Sequence, residues 1–142
     1  EAEWEKAARG TDGRLYPWGN FWDGKRCNTR ENRRDATTPV TAYPLGASPY
    51  GILDMAGNVW EWTRSLWGDG EIEPQYKYPY DPTDGRENPE AGTNIRRVLR
   101  GGSFNYTRDT ARCACRNRLR PDSVAWYVGF RVALLSTDIR QI

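Results

Sequence analysis

Histidine is absent from the 142-residue chain, methionine occurs once and cysteine three times. Without histidine, no side chain titrates near neutral pH unless its surroundings shift it, and neither a Ser-His nor a Cys-His nucleophile pair can form. Cys27, Cys113 and Cys115 are odd in number, which does not make a disulfide framework. Cys113 and Cys115, if on a strand, share a face but lie too far apart to bridge without distortion. Reduced thiols serving as small apolar residues are therefore expected, the alternative being a bridge from Cys27 to one of the pair. Two neighbouring cysteines without histidine make a poor zinc set. No run is apolar enough to cross a membrane, and no signal peptide is visible. The compartment is left open, with the cytoplasm as first expectation. Charge of one dominant sign is lacking too: 21 basic and 19 acidic residues leave +2, which gives no reason to expect a nucleic-acid partner.

What the chain does have is 7 Trp and 8 Tyr, which bury large areas per residue, together with 14 Gly and 9 Pro. This composition predicts one loop-rich domain over 1–142 and argues against a helical bundle. Residues 1–9 predict a helix with acids early, bases late and Gly10 as its C-terminal cap. Nothing precedes it as an N-cap, so the chain is expected to begin inside a larger domain. Tyr16-Pro-Trp-Gly-Asn20 is an aromatic-packed turn, and 28–39 is polar loop. Asn58-Val-Trp-Glu-Trp-Thr63 alternates as a central strand with Trp60 and Trp62 on one face and Glu61 on the other, less apolar side. Residues 68–95 form a long loop, a length that is usually functional or locally structured.

The stretch Val98–Val132 organises the rest. A strand-like run enters Gly101-Gly102, and an apolar run, Val128–Val132, closes it. Both ends are expected to be buried framework, and the Gly-Gly a tight turn or bulge where backbones approach. Between them Arg108, Arg112, Arg116, Arg118 and Arg120 alternate with aromatic and polar residues. Such a run is either a solvated face or a binding surface for an acidic or planar ligand. Leu119, Val124, Trp126 and Tyr127 beside arginines suit a concave binding surface, with core packing of Trp126 as the alternative. Hard oxygen ligands for calcium are offered by Asn58 and Glu61 with their intervening carbonyls, and by the loop holding Asn28, Glu31, Asn32 and Asp35. Either set also reads as ordinary turn residues.

Six pieces in order, Glu1-Ala-Glu-Trp-Glu5, Tyr16-Pro-Trp-Gly-Asn20, Thr38-Pro-Val40, Tyr50-Gly-Ile-Leu-Asp-Met-Ala-Gly-Asn-Val-Trp-Glu-Trp62, Arg100-Gly-Gly-Ser-Phe104 and Gly129-Phe-Arg-Val132, resemble the formylglycine-generating enzyme (sulfatase-modifying factor) family across nearly the whole chain. The resemblance implies an α+β, C-type-lectin-like fold with much irregular loop, entered partway, so that the first part of the domain would be missing. It implies structural calcium at Asn58, the Val59 carbonyl and Glu61, and a second ion near Asn28 and Thr29. The family's two catalytic cysteines, which bind copper, fall on Tyr106 and Ala111, so no copper and no enzyme activity are expected.

Within the family, Gly101-Gly-Ser, Ala111-Arg-Cys-Ala114, Arg116-Asn-Arg118, Pro121-Asp122 and Val128-Gly-Phe-Arg131 resemble the variable proteins of diversity-generating retroelements. That likeness implies a non-catalytic domain displaying a hypervariable ligand-binding region within 98–132. Its variable positions would be Phe104, Asn105, Tyr106, Thr107, Asp109, Thr110, Cys115, Leu119, Arg120, Ser123, Val124, Ala125, Trp126 and Tyr127. The expected partner is a protein or other macromolecule. Two rivals stand beside this: an oxidoreductase using Cys113 or Cys115, and a sensor module fused to a kinase or protease.

Overall fold

A computed structural model describes residues 1–134. Helix α1 spans Ala2–Arg9, with Glu3 and Glu5 in its first turn and Lys6 and Arg9 in its last. It stops at Gly10, whose left-handed backbone (φ 68°) lets its N–H reach the Lys6 carbonyl at 3.0 Å. Trp4 and Ala8 form the buried face, packed with Met55 and Cys113. A second small cluster joins Cys27, Ala56 and Ala111 beneath Trp18 and Trp22, with Tyr16 stacked on Trp18.

Strands β1 (Trp60–Gly68), β2 (Arg96–Arg100), β3 (Arg116–Leu119) and β4 (Val128–Gly129) form one sheet in the order β3-β2-β1-β4. β1 and β2 are antiparallel, pairing Glu61 with Arg100 and Trp62 with Leu99 before the register shifts. β2 and β3 are antiparallel, and β4 runs parallel to β1, pairing Trp60 with Val128. The central strand starts later than the alternation suggested and runs to Gly68. Gly57 and Asn58 hold positive φ values of 77° and 67°, a conformation that cannot continue a strand.

Glu61 is not on a more polar face but buried. Its carboxylate accepts the Trp4 indole N–H at 2.6 Å and two Arg131 N–H groups at 2.5 and 2.7 Å. The closing run is not buried framework throughout. Val128 and Gly129 are half-buried, whereas Phe130 is 75% and Val132 83% exposed. β4 is an edge strand, and extended backbone places alternate residues on opposite sides. Arg131 takes the inward position to reach Glu61, which leaves its two apolar neighbours facing out.

The sheet is joined to the helix by Arg100, whose side chain is fully buried. Its guanidinium donates to Glu1 (3.2 Å), Glu5 (2.6 Å) and the Cys113 and Ala114 carbonyls, and stands 5.3 Å from the Trp4 ring centroid. Arg116 on β3 grips the same Glu1 carboxylate at 2.7 and 3.1 Å. Burial alone would raise the Glu5 carboxyl, but Arg100, Tyr78 and Arg9 together hold it below its ordinary value.

The connection from β1 to β2, 69–95, lacks strand or helix among the described residues but is not loose. Arg86, 1% exposed, binds Asp84 and the Lys77 carbonyl and lies 4.7 Å from the Tyr80 ring centroid. Cys27, Cys113 and Cys115 are all free thiols.

Removing one partner of a buried ion network leaves the others uncompensated. Arg100→Met should therefore cost about 3–5 kcal/mol of stability in urea unfolding. A loss below about 1 kcal/mol would show that the network contributes little.

Candidate ligand-binding surface

Gly101 and Gly102 carry the chain out of β2 at φ 98° and 76°. A Cβ on Gly102 would lie 3.0 Å from Thr110, and one on Gly101 3.2 Å from Trp4. The double glycine is thus a site of close backbone approach, as its position suggested, fixed by the Gly57 N–H to the Gly101 carbonyl (2.7 Å). Phe104 N–H then donates to the Asn58 carbonyl at 3.0 Å.

From there the displayed segment divides. Phe104 is a correction: at 3% exposure it is interior, lying under Trp126 at 5.1 Å between ring centroids. Trp126 itself is 69% exposed, so it is surface and not core. Trp126 meets Tyr127 edge-on at 5.8 Å, Tyr127 meets Tyr106 at 5.6 Å, and Tyr106 meets the buried Trp60 at 5.7 Å. One aromatic chain therefore runs from core to solvent, its two end contacts edge-on, a geometry that aromatic quadrupoles favour, and its middle contact tilted.

Tyr106, Leu119 and Tyr127 line one cleft of about 360 Å³ with Asn117, Arg118, Arg96, Glu71 and Ile72. Leu119 is placed there by β3, paired with Arg97, and Tyr127 by the hydrogen bond from Trp60 N–H to its carbonyl (2.9 Å). Arg118 donates to the Glu71 carbonyl and lies 5.5 Å from the Trp67 ring centroid. Arg96 donates to the Glu71 carboxylate at 3.0 Å. Burial, then the neighbouring Tyr127, pushes the Tyr106 phenol up, so it acts as a neutral hydrogen-bonding group.

Other candidate positions stand apart from the cleft. Thr107, Asp109 and Thr110 belong to the short helical turn Arg108–Ala111 or its start, and Asn105 accepts the Ser103 hydroxyl. Arg120, Ser123 and Val124 are exposed and Ala125 half-buried in the turn between β3 and β4. Cys115 opens beside Arg9, Arg14 and Arg112. Arg118 belongs to the arginine run read as a solvated face or a binding surface, whereas Asn117, Glu71, Ile72 and Arg96 were not among the candidates. The unusual length of the 68–95 loop was the one signal for Glu71 and Ile72.

Tyr106 and Ala111, where the resemblance would place the copper cysteines, are a half-buried phenol and a buried methyl. Burial pushes the Cys27 and Cys113 thiols up to about 12 and raises Cys115 as well, so none is a ready thiolate.

Calcium requires oxygens with lone pairs to spare. At Glu61 they are committed to Arg131 and Trp4. The Asn58 side-chain oxygen accepts the Thr38 N–H at 2.9 Å, with Val59 half-buried beside it. The Thr29 hydroxyl donates to Asn32, and Glu31 accepts the Arg108 N–H. Among the described residues no three Asp, Glu, His or Cys side chains gather to hold a metal. Two buried oxygen groups next to Asn58 do have capacity: the Asn28 side-chain oxygen has no partner, and burial pushes the Asp54 carboxyl up to about 6. The Asn28 side-chain oxygen and the Asp54 carboxylate thus keep capacity for a hard cation, whereas Glu61, Thr29 and the Asn58 side-chain oxygen as placed do not.

Residues 1–135 match the family model of the sulfatase-modifying factor enzyme 1-like domain. The mouse formylglycine-generating enzyme is 37% identical over 150 residues, covering 94% of this chain and 37% of its own length. The serine/threonine-protein kinase pkn1 of Chlamydia caviae is 40% identical over 134 residues, with 94% and 20% coverage. This chain therefore spans well under half the length of these curated relatives. Among solved structures, Treponema denticola variable protein 1 superposes with a TM-score of 0.69 at 26% identity, over 91% of this chain and 44% of that one. The helix, the curled sheet and the long irregular connections are those of a C-type-lectin-like fold. By sequence and by architecture, the chain belongs to the sulfatase-modifying factor enzyme 1-like (formylglycine-generating enzyme) family, with a variable protein among its structural neighbours.

Proposed function

We propose that this domain binds a protein or other macromolecule through its C-terminal surface and performs no chemistry there. The observation that carries this reading is the convergence of Tyr106, Leu119 and Tyr127 on one open cleft, with Trp126 exposed beside it. Tyrosine and tryptophan give large contact area while few torsions are immobilised, the same reason they dominate antibody loops. Arg96 and Arg118 add planar donors at the edge, a residue type enriched at binding hot spots. Phenol and methyl at Tyr106 and Ala111 supply no soft pair for copper. The structural likeness to a variable protein supports a scaffold whose displayed positions change between copies of the gene. The likeness to a kinase-named protein, of which this chain would be about a fifth, supports attachment to other domains.

On this reading the exposed positions are free to change. Trp126→Ser and Val124→Ser should each shift stability by no more than about 1 kcal/mol, whereas Phe104→Ala should cost about 3–5 kcal/mol. A library randomised at Tyr106, Leu119, Trp126 and Tyr127 should stay folded and yield binders to an arbitrary probe such as hen lysozyme. General unfolding of the library, or copper-dependent turnover of a cysteine peptide by the unaltered chain, would refute the reading.

We also propose that calcium, when bound, sits beside Asn58 on the Asn28 side-chain oxygen and the Asp54 carboxylate, where its positive charge offsets the burial that raises Asp54. Calcium at about 100 times its Kd should then add about 2.7 kcal/mol to stability relative to EDTA. Asp54→Asn should remove that increment. Identical unfolding curves with calcium and with EDTA would exclude the ion.

A further inference from the structure

A second recess, of about 250 Å³, is lined by Arg9, Arg14, Leu15, Arg112, Ala114 and Cys115. None of these residues lines the Tyr106 cleft, so the two stand or fall separately. Two of its guanidinium groups are fixed. Arg9 donates to Glu5 at 2.6 Å and to the Gly13 carbonyl at 2.9 Å, and Arg14 to Asp12 at 2.6 Å and to the Pro17 carbonyl at 3.1 Å. Arg112 is held less firmly. Its Nε donates to the Asp109 carbonyl at 2.9 Å, but its nearest terminal nitrogen stays 3.8 Å from the Asp109 carboxylate, and its side chain is 48% exposed.

The arginine donors at the recess exceed the acceptors facing them. Glu5, Asp12 and Asp109 each face one of the three arginines, but Glu5 is shared with Arg100, so guanidinium groups outnumber the carboxylates facing them. Leu15, Ala114 and Cys115 supply an apolar base. The Leu15 loop is tied to the floor by the Cys113 N–H, 2.8 Å from the Leu15 carbonyl, so the recess is preformed. Burial pushes the Cys115 thiol up, and a neutral thiol does not repel an anion.

We infer that this recess binds a small carboxylate with a short hydrocarbon body, its oxygens accepting from the terminal nitrogens of Arg112, its carbon chain lying on Leu15, Ala114 and Cys115. A planar carboxylate matches the guanidinium fork, and the apolar base distinguishes it from a compact inorganic oxyanion.

The test uses the full chain with succinate, inorganic phosphate and sodium chloride at equal ionic strength. Methyl methanethiosulfonate modification of Cys115 should slow about fivefold in succinate at about four times its Kd, following the factor 1 + [L]/Kd. Arg112→Gln, on a half-exposed side chain, should keep the fold and lose the protection. In parallel, the Arg112 side-chain N–H resonances should shift and saturate with succinate, a readout independent of thiol reactivity. Unmoved resonances, unchanged protection in Arg112→Gln, or phosphate matching succinate would each overturn the inference.

Discussion

The buried guanidinium of Arg100 is the joint on which the fold turns. It is one residue before the double glycine, and it holds α1 through Glu1 and Glu5 and the approach to β3 through two carbonyls. With only 37% hydrophobic residues and two small buried clusters, the chain cannot rely on a large apolar core. It places ion pairs where another domain would place leucines. Trp4 couples two such centres, donating its indole N–H to Glu61 while one face lies near Arg100. Taking charges out of water is costly, and the geometry compensates because both terminal nitrogens of Arg100 have acceptors, only its Nε being left without one. A network of this kind is intolerant of misregistration, which suits a scaffold that must hold one arrangement while its surface differs.

That rigidity is passed outward along the aromatic chain. Trp60 is buried on β1, Tyr106 touches it edge-on, and Tyr127 and Trp126 continue to solvent. A side chain exposed at its tip but packed along its flank loses little entropy when a partner arrives. The opposite wall belongs to the 68–95 loop, held by Arg86 between tyrosines and by Glu87, which accepts from Tyr80 at 2.8 Å. Scaffold and loop each contribute a side of the cleft, and neither forms it alone.

Local signals were read well. The helix and its glycine stop, the Gly-Gly turn, the long loop and the free thiols follow from residue chemistry close in sequence. Errors arose where a distant partner decides. Glu61 looked like a more polar position because alternation cannot show Arg131, 70 residues away, turning inward to meet it. The same pairing exposes Phe130 and Val132, which looked like framework. Phe104 was grouped with the displayed residues because it shares their neighbourhood, yet Trp126 covers it. Glu71, Ile72 and Arg96 were missed because a cleft wall brought in from another part of the chain leaves no mark beside the segment it faces.

Arginine shows most plainly why pattern alone stops short. Arg100, Arg116, Arg118 and Arg112 lie within a short run and are chemically identical. Arg100 is buried against two glutamates, and Arg116 binds one of these and the Tyr76 carbonyl. Arg118 lines the cleft over Trp67, and Arg112 stands half in solvent with terminal nitrogens to spare. What separates them is the supply of acceptors, and those acceptors come from α1 and from the 68–95 loop. An arginine with its acceptors in place serves the scaffold, and one without them is available to a ligand. The division between constant framework and usable surface in this domain is therefore set by where carboxylates and carbonyls run out.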